Sequence, residues 1–409
     1  MTTTSANLFD FDAAYRDGNP YPEFARFREA FGAQYVAADP DQGRSRPWLT
    51  LFRHDDCLNA LRDNRLVREY GSDQWHEPEP DSFWAMGRLF MLFRDPPIHT
   101  RLRSVANLAF TPRQVERMRP EIEATAMHLI ANMREQGDGV DLIGEFAFPL
   151  PMLVISRMLG IDEGDYRLFR DAAATVAAAI DGPSEALQPL IDRVDESTRF
   201  MSAYLRDLIA QRKQDPGDDL LTSLIRAESE DGKLTEQELI ATCILLIVAG
   251  HETTVNLIGN GTLTLMRHRD QWESLVADRS LARSTAEEAL RFEPPVQLTS
   301  RIASEPMEIA GYAIEPGTGV TTVLASANRD PAAFADPDRF DIRRSAGRTM
   351  SFGMGIHFCL GAPLARLEGE IAFATLTREF PDLSLVSDDV TWRPGVVFHG
   401  LESLPVRLG

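Results

Sequence analysis

Apolar residues between about Thr111 and Ile302 recur at three- and four-residue intervals, the spacing that gives a helix one buried face. The flanking regions read differently. Near the N-terminus, "YPEFARFREAFGAQYVAADP" predicts a short helix and then a strand, and "RPWLTLFRH" offers a strand partner through Trp48, Thr50 and Phe52 on alternate positions. The run "TPRQVERMRPEIEATAMHLIANMREQG" predicts a helix opening on Thr111–Pro112 and closing at Gly137. After Pro294 the texture shortens, and "MEIAGYAIEPGTGVTTVLAS" reads as strands and turns before a last helix that follows Pro363. The segment "GSDQWHEPEPDSFWAMGRLFMLFRDPP" is aperiodic, as expected of a long loop lying over something. No linker-like stretch and no internal repeat interrupts the chain. The pattern therefore predicts a mainly α fold with a minor β part in one domain over residues 1–409. Its parts are a β-rich start at about 22–60, a helical body at about 61–302, and a sheet, a loop and a last helix at about 303–409.

The longest apolar run, "LIATCILLIVAGHETTVNLIGNGTLTLMRH", follows a capping box made by Thr235 and Glu238. It predicts a helix of about 32 residues and ~48 Å, long enough to cross the whole body. Gly250, Glu252, Thr253 and Thr254 interrupt its apolar centre. His251 and Glu252 look like half of the HExxH zinc motif, but Val255 stands where the second histidine must be, so a metal-protease reading fails. Two readings of Glu252 remain. One is a satisfied buried acid beside a threonine bonded back to a carbonyl. The other is proton delivery by a carboxylate and a hydroxyl, with Gly250 letting a flat group approach and Thr253 holding a water or an oxygen-bearing ligand. His251 is expected to have a structural or hydrogen-bonding role.

Composition narrows the partners. Hydrophobic residues make up 44% and charged residues 25%, as in an ordinary globular protein. The net charge of -20 repels phosphate backbones and anionic lipid, so neither nucleic acid nor a membrane is expected as a partner. No signal-peptide pattern opens the chain and no uninterrupted apolar segment approaches bilayer length, so a cytoplasmic protein, and a monomer, is expected. Cys57, Cys243 and Cys359 are far apart and odd in number, which argues against a disulfide framework and a Cys-x-x-Cys zinc pair.

Cys57 and Cys243 read as small buried hydrophobes. Cys359 does not. It lies in "FGMGIHFCLGAPLARLEGEIAF", where three glycines let backbone pass close to a large planar group and a helix with Pro363 in its first turn begins just after the thiol. Helix N-terminal amides favour a thiolate.

"FGMGIHFCLG" resembles, residue for residue, the cysteine loop of the cytochrome P450 haem-thiolate monooxygenases. "AGHETT" is similar to the acid–alcohol pair on that family's long central helix, and "EEALR", with Glu288 and Arg291, to its E-x-x-R pair. The three motifs stand in the family's order, "DPPIHTRLR" and "DPAAFADPDRFDIRR" also look like it, and the resemblance covers nearly the whole chain. It is strongest to soluble bacterial members, including those that hydroxylate macrolides and similar secondary metabolites.

The resemblance implies a P450 fold, a triangular helical body with small sheets, and heme b (iron protoporphyrin IX) as cofactor. It implies Cys359 as the iron ligand and His99, Arg103, Arg301 and His357 as propionate partners. Ala249, Gly250, Phe352, Gly353 and Gly361 would lie along the haem. Glu252 and Thr253 would be the catalytic pair, steering protons to the distal oxygen. Glu288 and Arg291, with Arg339 as a third member, would support the cysteine loop. Phe83, Trp84, Met86, Leu89, Val296, Leu298, Val397 and Phe398 match segments that line substrate, with the alanine-rich Ala172–Ala179 open between substrate contact and helix packing.

The activity implied is insertion of one oxygen atom from O2 into a small apolar organic substrate, medium or large among such compounds. Electrons would come from a separate ferredoxin or flavodoxin with its reductase, because the chain carries no flavin or iron–sulfur module. Arg101, Arg113, Arg343, Arg344 and Arg366 lie in segments that could form a docking patch for that partner. A peroxide-driven peroxygenase and a non-catalytic haem sensor are the rival readings; neither needs the acid–alcohol pair that this chain keeps.

Overall fold

The computed structural model describes residues 8–42, 44–69, 81–107, 109–181, 187–229, 234–345 and 347–409. Tyr21–Ala30 (α1) starts on Pro20 and buries Phe24 and Phe27. Ala33–Val36 (β1) then pairs antiparallel with Trp48–Leu51 (β2), placing Gln34 opposite Thr50 and Val36 opposite Trp48. The predicted strand pair belongs to a five-stranded sheet. β2 runs parallel to Gly319–Val323 (β5), β5 antiparallel to Leu298–Ala303 (β4), and β4 antiparallel to Leu66–Val67 (β3). The last helix before β4 ends at Phe292, short of the predicted Ile302, because Pro294 and Pro295 cannot continue a helix. β3 lies inside the range expected to be helical.

Thr111 caps a helix as predicted, its side chain accepting from the Gln114 amide at 3.3 Å. The single helix expected there is two, Pro112–Arg117 and Arg119–Gln136, because Pro120 has no amide hydrogen and fits only a first turn. Part of the predicted loop over the body, residues 71–80, lies outside the described residues. Its continuation is more ordered than predicted, since the Ser82 side chain accepts from the Ala85 amide and starts a short helix, Phe83–Gly87 (α2).

The further elements that build the site are Ile98–Ala106 (α3), Pro149–Met158 (α4), Tyr166–Ile180 (α5), Glu236–Arg267 (α6), Ala282–Phe292 (α7) and Ala362–Glu379 (α8). Both halves of the predicted capping box start α6: Thr235 accepts from the Glu238 amide at 3.2 Å, and the Glu238 carboxylate accepts from the Thr235 amide at 2.9 Å. By length and composition α6 could span a bilayer, but 83% of its most apolar window is buried by protein. It packs against α4, α5, α7 and α8. A Cβ on Gly261 would stand 2.4 Å from the Phe373 ring of α8, so glycine lets the two helices approach.

One apolar core surrounds α6, and a smaller one lies between the sheet and the helix His54–Arg62. Side chains from both, including Leu61 and Leu324 from the smaller core, line the cavity described next.

Candidate active site

The cysteine loop hangs from a buried ion pair. Glu288 and Arg291, one turn apart on α7, bond through both carboxylate oxygens at 2.7 and 2.8 Å. The rest of the guanidinium donates to the carbonyls of Asn328, Pro337 and Arg339. The Glu288 carboxylate also accepts from Arg344 Nε at 3.1 Å and the Asp341 amide at 2.9 Å. Arg344 is thus the third member, not Arg339, whose own guanidinium is 67% exposed and which contributes a carbonyl. From this cluster Asn328 accepts from the Met350 amide and donates to Ser351 Oγ, which fixes the entry to the loop. The Cys359 amide closes it by donating to the Phe352 carbonyl at 2.9 Å. Within the loop Gly355 has φ +73°, and a Cβ there would fall 2.3 Å from the Leu61 carbonyl oxygen, so only glycine fits.

What surface Cys359 exposes faces a cavity of about 440 Å³. Burial pushes its thiol pKa up; the amides of Gly361 and Ala362 at the start of α8, with the guanidiniums of Arg103 and Arg366, pull it down. Among the described residues Cys57 and Cys243 have no guanidinium beside them, and burial drives both thiols up, Cys243 to about 12, with only the Val323 backbone pulling Cys57 down. They behave as the apolar fillers expected of them.

A crowd of cationic and imidazole groups forms one end of the cavity. His99 and His357 lie ring to ring at 4.4 Å, and the Nε2 atom of each is buried without a hydrogen-bond partner. Arg103 donates to the Phe358 carbonyl at 2.5 Å, and Arg301 to Thr299 Oγ1 and the Ser300 carbonyl. Arg68, which sequence reasoning missed, shares Thr299 Oγ1 with Arg301, at 3.0 Å against 3.1 Å. Among the described residues Asp95 is the acid that offsets this charge, and its carboxylate accepts from the amides of Arg68 and Glu69. Burial pulls Arg301 down to about 10, and burial with the surrounding cations pulls His357 down to about 2. Nothing in "LVREY" distinguishes Arg68 from a surface arginine; only the fold brings it here.

Another part of the wall is the centre of α6. Ala249, Gly250, Glu252 and Thr253 all line the cavity. A Cβ on Gly250 would stand 3.4 Å from Ile155 of α4, at the edge of ordinary van der Waals contact, while the residue itself lines the cavity. Thr253 returns its hydroxyl to the Ala249 carbonyl at 3.2 Å. Glu252 is 4% exposed and its Oε1 meets Arg393 at 2.5 Å. The same guanidinium reaches Asn256. Arg393 comes from the C-terminal loop, which is pinned at its far side by Asp181 at the end of α5, whose carboxylate accepts from the amides of Val396, Val397 and Phe398. Glu368 of α8 also lines the cavity; burial raises its carboxyl to about 8 against a smaller downward pull from the Thr254 hydroxyl, which lies 3.5 Å from the Gly250 carbonyl.

Of the predicted substrate contacts, Val296, Leu298, Val397 and Phe398 line the cavity. Phe83, Trp84, Met86 and Leu89 do not. The cap at Ser82 winds them into α2, which turns Phe83 and Met86 into the core and leaves Trp84 56% exposed, while Leu89 packs on the core edge. Met91, Leu92 and Phe93 take their place. The alanine-rich face of α5 packs in the core, with Ala172, Ala173 and Ala177 buried and Ile180 reaching the cavity. Three of the five arginines expected to form a docking patch are engaged within the chain: Arg101 with Glu238, Arg344 with Glu288, and Arg366 with Glu287. Arg113 and Arg343 are exposed.

This cavity fits a haem. A thiol rests at one face among amides and guanidiniums, the orphaned imidazole nitrogens and the arginines form a ready site for two carboxylates, and a Cβ on Gly353 or Gly361 would meet nothing within 4 Å.

Comparison with known proteins agrees with that geometry. Residues 65–390 match the family model "Cytochrome P450". The chain is 39% identical to the polyketide biosynthesis cytochrome P450 PksS of Bacillus subtilis, covering 95% of this chain and 96% of that one. It is 42% identical to 6-deoxyerythronolide B hydroxylase of Saccharopolyspora erythraea, with 88% and 90% covered. The solved structure of the tirandamycin C-bound monooxygenase TamI superposes with a TM-score of 0.83 at 40% identity, covering 98% of this chain and 99% of that one.

Proposed function

We propose, for a chain that belongs to the cytochrome P450 family and is a haem-thiolate monooxygenase, that it hydroxylates or epoxidises an apolar organic compound of medium or large size. Its electrons come from a separate ferredoxin or flavodoxin with its reductase. The observation that carries this reading is that Cys359 and the Glu252–Thr253 pair line one cavity.

In this reading Cys359 holds the iron. His99, Arg103, Arg301 and His357, with Arg68 beside them, hold the two carboxylates. Ala249, Gly250, Phe352, Gly353 and Gly361 bound the ring. When bound, the haem supplies reductive activation of O2 and transfer of one oxygen atom to the substrate. The chain supplies protons and exclusion of water. Thr253 has only a 3.2 Å bond to its own helix to exchange for a water, and Glu252 stands next to it with one oxygen fixed by Arg393.

Above this pair the wall is Leu245, Val296, Leu298, Val397 and Phe398, so shape and apolar contact select the substrate. A polyketide-type compound suits such a wall, and the names of PksS and the 6-deoxyerythronolide B hydroxylase point the same way. The electron partner docks on the Cys359 side, where Ile356 is 37% exposed and Arg366 lies over the Phe352 ring. The protein works in the cytoplasm, where such a partner is found.

Titration of the ferric protein with macrolactones, fatty acids, terpenoids and steroids should give a spin-state shift with the first class at the lowest concentration. With that ligand, Thr253→Ala should keep haem and ligand binding and still consume NAD(P)H, but release peroxide in place of product. Unchanged coupling would overturn the proton role.

A further inference from the structure

The neighbour of the acid, His251, has no part in the reading above. It is wholly buried in the wall of α6, its ring edge-on to Phe148 at 5.2 Å. Nδ1 lies 3.0 Å from the Ile247 carbonyl, which can only accept, so Nδ1 carries the hydrogen and Nε2 presents a lone pair. That lone pair has no hydrogen-bond partner and stands 3.7 Å from Glu252 Oε2. The other carboxylate oxygen, Oε1, is taken by Arg393. Burial lowers the imidazole pKa and so favours the neutral form, against smaller opposing pulls from Glu252 and the Ile247 carbonyl. The charged groups around the pair are Arg393 from the C-terminal loop, Asp181 and Arg170 from α5, the latter stacked over Phe148, and no other acid touches it among the described residues.

A neutral imidazole lone pair cannot bond an ionised carboxylate; it can accept from a carboxylic acid. We propose that His251 is a positioning residue for proton delivery: when Glu252 takes up a proton it does so on Oε2, and the resulting O–H donates to His251 Nε2 while Arg393 keeps Oε1 in place. The proton comes from solvent hydronium, whose O–H bond breaks as one forms at Oε2, and no bond of the imidazole changes, so it remains neutral. Passage of the proton to Thr253 reverses the step. The gap of 3.7 Å closes by a small side-chain rotation, as contacts of this kind tighten in the working complex. The inference rests on Glu252 being a proton carrier.

Two variants give opposite rankings. His251→Phe keeps the ring edge on Phe148 and removes the acceptor; His251→Gln loses the ring and keeps an acceptor, its amide oxygen. The readout is the infrared difference spectrum on photolysis of carbon monoxide from the reduced holoenzyme. The carboxylic-acid C=O stretch of Glu252, identified by its disappearance in Glu252→Gln and its shift in D2O, should move up in His251→Phe and stay near its wild-type position in His251→Gln. Product formed per NAD(P)H, with the best macrolactone ligand, should fall roughly three- to tenfold in His251→Phe, the worth of one hydrogen bond, and less in His251→Gln. A band that does not move in His251→Phe, or coupling that survives better in Phe than in Gln, overturns the inference and makes His251 a packing residue. If Glu252→Gln itself leaves coupling untouched, it is the proton role of Glu252 that falls.

Discussion

Two buried polar clusters flank the same cavity, and they are finished to different degrees. Around Glu288 and Arg291 every visible donor and acceptor has a partner inside the chain. Around His99 and His357 three arginines crowd together, two imidazole nitrogens have no partner, and one aspartate answers the charge. Buried polar groups are normally satisfied, so the first cluster is complete as it stands and the second is complete only with an anion. The difference separates a support from a binding site without reference to either motif. It also fixes what mutation should do: removing a member of the first cluster harms the fold, whereas removing a member of the second relieves the bare chain and harms only the loaded protein.

The largest effect is expected for Arg291→Met. It leaves Glu288 buried with only Arg344 and the Asp341 amide, and takes the Arg291 donor away from the Asn328 and Pro337 carbonyls that hold the approach to the cysteine loop. Breaking one side of a buried pair costs about 3–5 kcal/mol. The urea midpoint of the purified variant should fall accordingly, and little of it should retain haem. A midpoint within error of the wild type would erase the contrast between the clusters.

Arg301→Leu should behave in the opposite way. Charge-assisted hydrogen bonds contribute about 1.5–3 kcal/mol each, so haem transfer to apomyoglobin should speed up by roughly 10- to 100-fold. The urea midpoint of the haem-stripped chain should hold or rise, because a buried cation with burial-lowered basicity is gone. Arg68→Leu should follow in the same direction with a smaller change. A fall in the haem-stripped midpoint for both would mean that these arginines hold the fold together, as Arg291 does.

The two clusters also differ in how far they can be read from sequence. Glu288 and Arg291 are three apart on one helix, and the spacing alone puts them face to face. Arg344 and Asn328 complete that cluster from loops whose approach no local pattern encodes. His99, Arg103, Arg301 and His357 were legible through the motifs around them, whereas Arg68 directly follows a two-residue strand whose pairing with β4 creates the neighbourhood. The length and start of α6 were legible because periodicity and a capping box are local signals. The contact of Glu252 with Arg393 was not, since it joins the helix centre to a loop near the C-terminus. The error at Phe83 to Leu89 has the same origin: one serine cap turned an aperiodic stretch into a helix and redirected every side chain in it.

Glu368 is an intermediate case, a buried carboxyl with, among the described residues, no cation against it and only the Thr254 hydroxyl to offset its burial. Burial raises its carboxyl from 4.5 to about 8. The unfolded chain releases this proton near the ordinary carboxylate value while the folded protein keeps it to about 8, so the associated stability is fully present at low pH and is lost as pH rises toward and through 8. Glu368→Gln cannot ionise. The variant should match the wild type near pH 5 and exceed it at pH 8, by at most a few kcal/mol. Thermal denaturation at the two pH values decides it; equal differences at both would show that the carboxyl has a partner in the working protein.

The smallest effect is expected where sequence placed a substrate contact and the fold removed it. Trp84 is exposed on α2 while Phe83 and Met86 are buried, and it is not among the residues that line the cavity. Trp84→Ala should change stability by no more than about 0.5 kcal/mol, as exposed substitutions do. Its spin-state titration with the best ligand should overlay the wild type. Val397→Ala is the matched control. Val397 lines the cavity on the loop held by Asp181, and shortening it changes the wall itself, so the titration midpoint should move several-fold, the worth of about 1 kcal/mol of apolar contact. If Trp84→Ala shifts ligand affinity as strongly as Val397→Ala, then α2 closes over the ligand when it binds, and the boundary drawn between core and site at Met91 belongs several residues earlier.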